Sequence, residues 1–303
     1  MTNPVSSPPP GARNYALLIT LSLIWGSSFA LIKIAVATIP PVTLAASRIA
    51  VAAAVLVVLQ SIIRQPFSAD LRRWGQFLMV GILGNGLPFV LIGYGEIRID
   101  SGIAAILIGV MPVFTVIFAT LSGVERGLTG RRALGLGCGF AGLVVLMGPA
   151  SLMRLEGDGL AYLALIAAAA CYAATGVYAR HLCRTIPMMS LATGSMISSA
   201  LLMAPLAVWL DQPWSLDPTM AAMAATFSLG VLSTGLAALI YFRLLISAGP
   251  IFASTINYLI PVIGVLLGVV WLGERLALGE LAAFAMIVTG IALARPQPVP
   301  QSS

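Results

Sequence analysis

The 303 residues are 59% hydrophobic and 9% charged, with a mean hydropathy of +1.02, whereas soluble domains run near a quarter charged; a water-soluble fold is excluded. The net charge of +6 comes from basic residues divided among several connections, without the basic run that a nucleic-acid surface needs. Nucleic acid is therefore excluded as a partner, and the lipid bilayer takes its place.

A bilayer core of roughly 30 Å needs about 20 apolar residues per helix. The sequence predicts ten such spans, at about 14–37, 41–63, 74–95, 101–122, 131–150, 159–181, 188–210, 218–246, 250–272 and 278–295. The fold class expected is an all-α polytopic membrane protein. Residues 1–13, rich in Ser and Pro, cannot bury enough apolar area to fold and read as a disordered tail, with a second short tail at 296–303. The first span is over twenty residues long and lacks a small-residue cleavage site, so it reads as a retained span rather than a signal peptide. It carries Trp25, Ser27 and Ser28 well inside its length and Lys33 near its end.

The second span contains Arg48, the most costly residue to bury in the membrane. Arg48 either holds a substrate carboxylate or outer gate, or snorkels outward to an acid such as Glu96 or Asp100, and the snorkelling reading is the one favoured. The third span breaks at Gly84-Asn85-Gly86 followed by Pro88, since a proline removes one helical hydrogen bond. Asn85 is there a cavity-wall group or a packing contact. Met111 and Pro112 lie in the fourth span, and Glu125-Arg126 follow it. Tyr172 and Thr175 lie in the sixth span and Thr234 in the eighth. In the ninth, Ser254, Asn257, Tyr258 and Pro261 step by three and four and share one helical face, which lines a cavity or bonds a neighbouring helix. Glu274-Arg275 follow that span. Cys138 and Cys171 lie within spans and Cys183 in a connection, so no disulfide framework or metal site is implied.

A shift of 149 lays Met111–Gly130 over Ile260–Gly279, pairing Pro112 with Pro261 and Glu125-Arg126 with Glu274-Arg275. A shift of 147 pairs Lys33 with Arg180, Pro40 with Pro187 and Trp25 with Tyr172. These recurrences divide the chain into two five-helix units, 14–150 and 158–295. An odd number of spans per unit sends the second in from the opposite side, so the repeats are inverted, the arrangement through which carriers alternate access to a central site. With both termini cytoplasmic, eleven of the sixteen basic residues face inward, as the positive-inside bias requires.

The segments IWGSSFALIKIA, PPVTLAASRIAVAAAVL, GIAAILIGVMPVF running into GVERGLTGRRALG, and ASTINYLIPVIGVLLGVVWLGERLALGELAAFAMIVTGI, in that order, resemble the EamA family of the drug/metabolite transporter superfamily. The resemblance spans about residues 15–295. It implies a bacterial-type inner-membrane carrier with a central cavity, commonly an exporter of amino acids or similar small metabolites.

The expected substrate-binding residues are Trp25, Ser28, Asn85, Tyr172, Thr175, Ser254, Asn257 and Tyr258. Pro88, Pro112 and Pro261 mark helix breaks, and Arg48, Glu125 and Glu274 are gate or structural charges. No span carries a carboxylate near its centre, which disfavours the proton-driven export of cationic drugs; multidrug efflux is the alternative within the transporter class. A membrane enzyme would need clustered catalytic side chains at one face, and none is seen in the sequence; a structural membrane protein leaves the repeat unexplained. No catalytic residue, metal or cofactor is expected, and no phosphate-binding Gly-Lys-Ser loop is present. Gly135 with Gly139 and Gly264 with Gly268 permit close packing within the chain or in a homodimer.

Overall fold

The computed structural model describes residues 11–65, 67, 70–122, 130–147, 158–183, 185–241, 243, 244, 247, 256–275 and 277–294. Among them every regular element is a helix. In chain order these are α1 (Ala12–Val36), α2 (Pro41–Ile62), α3 (Leu71–Gly81), a π-helical segment (Ile82–Gly86) and α4 (Leu87–Arg98). Next come α5 (Ser101–Ile108), α6 (Met111–Leu121), α7 (Gly130–Met147), α8 (Gly159–Leu182) and α9 (Met188–Asp211). They are followed by a 3₁₀ turn (Pro213–Ser215), α10 (Met220–Ser228), a second π-helical segment (Leu229–Leu236), α11 (Ile256–Leu272) and α12 (Leu278–Ala294).

Among the described residues, seven helices are long and apolar enough to cross a membrane, and three shorter apolar helices cover Ala133–Gly142, Leu259–Leu272 and Leu278–Gly290. Most of the helices are apolar on all sides; α3, which opens Leu71-Arg72-Arg73-Trp74, has a polar face. One stripe of each long helix enters the bundle and another stays outside, leaving Ile19, Leu23, Val58, Leu201, Trp209, Leu266 and Val270 exposed. So much exposed apolar surface marks a face covered by something other than water, and the length of the helices identifies it as lipid.

Proline places several helix starts. Pro41, Pro88 and Pro112 sit in the first turns of α2, α4 and α6, where the missing N–H has no intrahelical partner to lose. Among the described residues, Pro205 of α9 and Pro261 of α11 lie inside their helices. The expected breaks at Pro88 and Pro112 fall at the starts of α4 and α6, inside longer helical spans, whereas α11 runs through Pro261.

Helix starts recur along the chain: α1 and α2 begin 147 residues before α8 and α9. The contacts recur in exchanged form. α1 packs on α11 as α8 packs on α6, and α2 packs on the second π segment as α9 packs on α3 and the first. The glycine spacings are used inside the chain. A Cβ on Gly290 of α12 would lie 2.5 Å from the backbone nitrogen of Gly139 and 2.6 Å from the carbonyl of Gly135, so α7 and α12 touch through their backbones; at Gly264 it is the methyl of Ala105 that would stand 2.5 Å from such a Cβ.

Candidate functional site

The two π segments carry matching sequences. Gly81-Ile-Leu-Gly-Asn-Gly-Leu87 recurs after 149 residues as Gly230-Val-Leu-Ser-Thr-Gly-Leu236, so Asn85 corresponds to Thr234. A π turn misaligns the hydrogen-bond ladder and leaves carbonyls for other donors. In the second segment the Thr234 hydroxyl donates to the carbonyl of Leu229 at 3.0 Å, and the Trp25 indole N–H donates to the carbonyl of Ser233 at 3.0 Å. Trp25 lies mid-helix in α1, where its ring also meets Tyr241 at 5.7 Å between centroids. Ser28, one turn on, is buried and donates to the carbonyl of Trp25.

Arg48 is 6% exposed. Its Nε donates to the Thr234 hydroxyl at 2.8 Å, and its guanidinium lies 3.9 Å above the centre of the Phe89 ring. Tyr172 of α8 and Glu96 of α4 are within electrostatic reach of it. The expected outward snorkelling is therefore corrected: the side chain turns into the bundle, because Thr234 and the Phe89 face give it a hydrogen bond and a cation–π contact there.

The first π segment faces α8. A Cβ on Gly84 would stand 2.8 Å from Cγ2 of Thr175, so only glycine allows this approach. Asn85 beside it is 9% exposed. The Thr175 hydroxyl and that of Ser199, which lies against Gly86, are buried without a hydrogen-bond partner. Contacts thus join Trp25, Arg48, Phe89, Tyr172, Ser233 and Thr234, with Asn85, Thr175 and Ser199 along the first π segment. Of the expected binding residues, Trp25, Ser28, Asn85, Tyr172 and Thr175 fall in this polar belt or beside it. Ser254 lies outside the described residues, as do the side chains of Asn257 and Tyr258 and the whole of Glu125.

Phe89, Ser199 and Ser233 are absent from the residues expected from sequence, and Thr234 is there only a polar residue of the eighth span. The match of GVLSTGL to GILGNGL was the available signal for Ser233 and Thr234. Phe89 and Ser199 have no sequence signal, since their place depends on contacts across the bundle.

At the C-terminal end of α1 the halves are tied together. Asp211 accepts the N–H and hydroxyl of Thr43, both at 2.8 Å, closing the N-terminus of α2. Glu274 accepts the N–H groups of Ser101 at 2.7 Å and Gly102 at 2.9 Å. The turn that delivers it runs through Gly273 at φ +70°, the left-handed conformation that ends a helix most cheaply in glycine. Glu274 thus caps α5 of the other half, while the next helix is served by Glu280, which accepts the N–H of Ala277 at 2.7 Å. Lys33 donates to the carbonyls of Glu96 at 2.7 Å and Ile99 at 2.8 Å. Glu96, expected in the outer aqueous layer, is instead fully buried. At the opposite end of α1 a cleft of about 700 Å³ is lined by Leu17, Leu239, Ile240, Arg243 and Ser247. Nearby, partial burial raises the thiol pKa of Cys183, in the connection after α8. Among the described residues no His/Cys/Asp/Glu group of metal-binding size occurs.

The model of the EamA-like transporter family matches residues 13–148 and again 159–295. The chain is 27% identical over 285 residues to the uncharacterized inner membrane transporter YedA of Escherichia coli K12, covering 92% of this chain and 89% of that protein. It is 23% identical over 275 residues to the uncharacterized transporter YoaV of Bacillus subtilis, covering 90% and 94%. A probable terminal-alkyne amino-acid exporter of Streptantibioticus cattleyicolor is 26% identical over 288 residues, covering 92% of each. One solved crystal structure shares the fold at a TM-score of 0.64 and 23% identity, over 93% of this chain and 97% of that one. With long apolar helices and lipid-facing surfaces already in place, the two family matches make this chain a multi-pass membrane transporter that belongs to the EamA-like transporter family.

Proposed function

We propose that this protein is an inner-membrane secondary transporter that exports amino acids or similar small carboxylate-bearing metabolites by alternating access. The observation that carries this reading is Arg48, a guanidinium held inside the bundle at the level of the π segments, with Trp25 and Tyr172 nearby and the free hydroxyl of Thr175 across the first segment. A buried cation fixed in this way repels cationic drugs and offers a substrate carboxylate a charge-assisted hydrogen bond. The named exporter among the relatives handles an amino acid, and YedA is named for the inner membrane; both support the same class.

The framework we propose is ten spans in two inverted five-helix units, 14–150 and 158–295, with both termini cytoplasmic. The exchanged contacts, the recurring π segments and the double family match support it. In this arrangement the ties of Glu274, Asp211 and Lys33 close the outer end, and the cleft beside Leu17 lies at the inner one.

The test is uptake and counterflow in proteoliposomes against labelled amino acids and their 2-oxo acid and amide counterparts. Arg48→Gln should cut transport of carboxylates at least about tenfold, the equivalent of one charge-assisted hydrogen bond. Asn85→Ala should weaken transport of all substrates alike. A correctly folded Gln variant that moves every carboxylate at the native rate would remove Arg48 from the site.

A further inference from the structure

Glu96 is the buried group for which the scheme above has no use. It is fully enclosed, and neither carboxyl oxygen has a hydrogen-bond partner. The charges that act on it come from three directions: Lys33 of α1, Arg48 of α2, and Glu274 of the segment after α11. Each is committed elsewhere. Lys33 donates to two backbone carbonyls, Arg48 to Thr234, and Glu274 accepts from the first two amides of α5. From α8, Leu165 packs on the adjoining Gly95. At the start of α5 the Ser101 hydroxyl is buried and likewise unpartnered.

An ionised carboxylate taken from water without hydrogen bonds costs several kcal/mol, and a neutral carboxylic acid largely escapes that cost. We propose that Glu96 is a proton-binding site that must be occupied for the α1–α4–α5 end of the bundle to close. When that end parts, water reaches the carboxyl and Lys33 is released from the carbonyls of Glu96 and Ile99 to pair with it, so the proton leaves to the solution on that side. Closing reverses the step: the carboxylate takes one proton from solution, Lys33 returns to its two carbonyls, and Glu274 settles on α5. No other bond changes. The inference rests on the alternating-access reading, in which this end is the outer gate. It makes an outer proton the trigger for return of the emptied exporter, a pH-dependent gate that carries no net proton across the membrane.

The experiment needs no substrate. Ser101→Cys is introduced into a chain whose Cys138, Cys171 and Cys183 are serine, with Glu96 or with Glu96→Gln, and reconstituted into liposomes. Labelling by a membrane-impermeant maleimide is followed from mildly acidic to mildly alkaline buffer. Taking the ratio of the Glu96 chain to the Gln chain cancels the pH dependence of the thiol itself. The ratio should rise about tenfold toward alkaline pH as the ionised carboxyl opens the gate, while the Gln chain stays protected throughout. A flat ratio overturns the proposal. Should the Gln chain fail to assemble, Glu96→Asp replaces it: a shifted midpoint of labelling supports the proton site, and an unshifted one overturns it. A carrier that labels as expected yet moves no carboxylate would sink the substrate assignment and leave the proton site standing.

Discussion

Arg48 shows how one side chain can be settled only by its partners. The price of a membrane-embedded arginine can be read from sequence, and that price makes snorkelling attractive. What turns it inward is Thr234, 186 positions away, and an aromatic face on a third helix. Thr234→Val should leave Nε of Arg48 without its acceptor and destabilise the chain by about 1–3 kcal/mol, seen as a lower melting temperature in detergent. Thr234→Ser should restore it. The same dependence explains what was and was not legible at this scale. Trp25, Asn85, Tyr172 and Thr175 stood out because polar or aromatic groups deep in apolar spans are rare. Phe89 looks like any lipid-facing phenylalanine until the guanidinium above it is known, and Glu96 sat close enough to a span end to pass for an outer-loop acid.

Helices and their breaks were the most legible elements, because apolar length and proline position are local properties. The first π segment announced itself through Gly84, Asn85 and Pro88, whereas the second has no proline and was visible only as a copy of the first. At these segments small residues set the distance to the neighbour. Gly84→Val should push α8 away from the first π segment, since even a Cβ would stand 2.8 Å from Thr175; transport should fall by roughly tenfold or more at unchanged membrane insertion, the cost of overpacking being about 1–3 kcal/mol. Thr175→Ala should recover part of the loss in the double variant, a coupling that a transport assay on all four chains would measure. Capping is equally testable. Glu274→Gln keeps an acceptor but loses its charge at the start of α5, so stability should fall by about 0.5–1 kcal/mol, and Glu274→Ala by more. From sequence Glu274 is a gate or structural charge without a named partner; the left-handed turn at Gly273 carries it to α5 of the opposite half.

For the whole molecule, the inverted arrangement makes a prediction that no single helix contains. Asp70 and Asp217 are separated by the repeat shift of 147, and both are exposed in connections ahead of their respective π-bearing spans. In a parallel duplication they would face the same compartment. Under the proposed five spans per unit they should face opposite ones, Asp70 the cytoplasm and Asp217 the exterior, because the chain would then cross the membrane an odd number of times between them. Basic residues favour the same assignment, Arg64, Arg72 and Arg73 flanking Asp70 while no lysine or arginine lies between Arg184 and Arg243, in keeping with the positive-inside bias. In a background without the native cysteines, Asp217→Cys should react with an impermeant thiol reagent on intact cells. Asp70→Cys should react only after the membrane is opened. Labelling of both from outside, or of neither, would mean that the two halves enter the membrane in the same sense, and the closed outer gate at Glu274, Asp211 and Lys33 would lose its symmetry-related inner counterpart. Opposite labelling ties the residue-scale contacts to transport, since two halves of opposite sense can exchange conformations around the Arg48 layer and present it first to one side, then to the other.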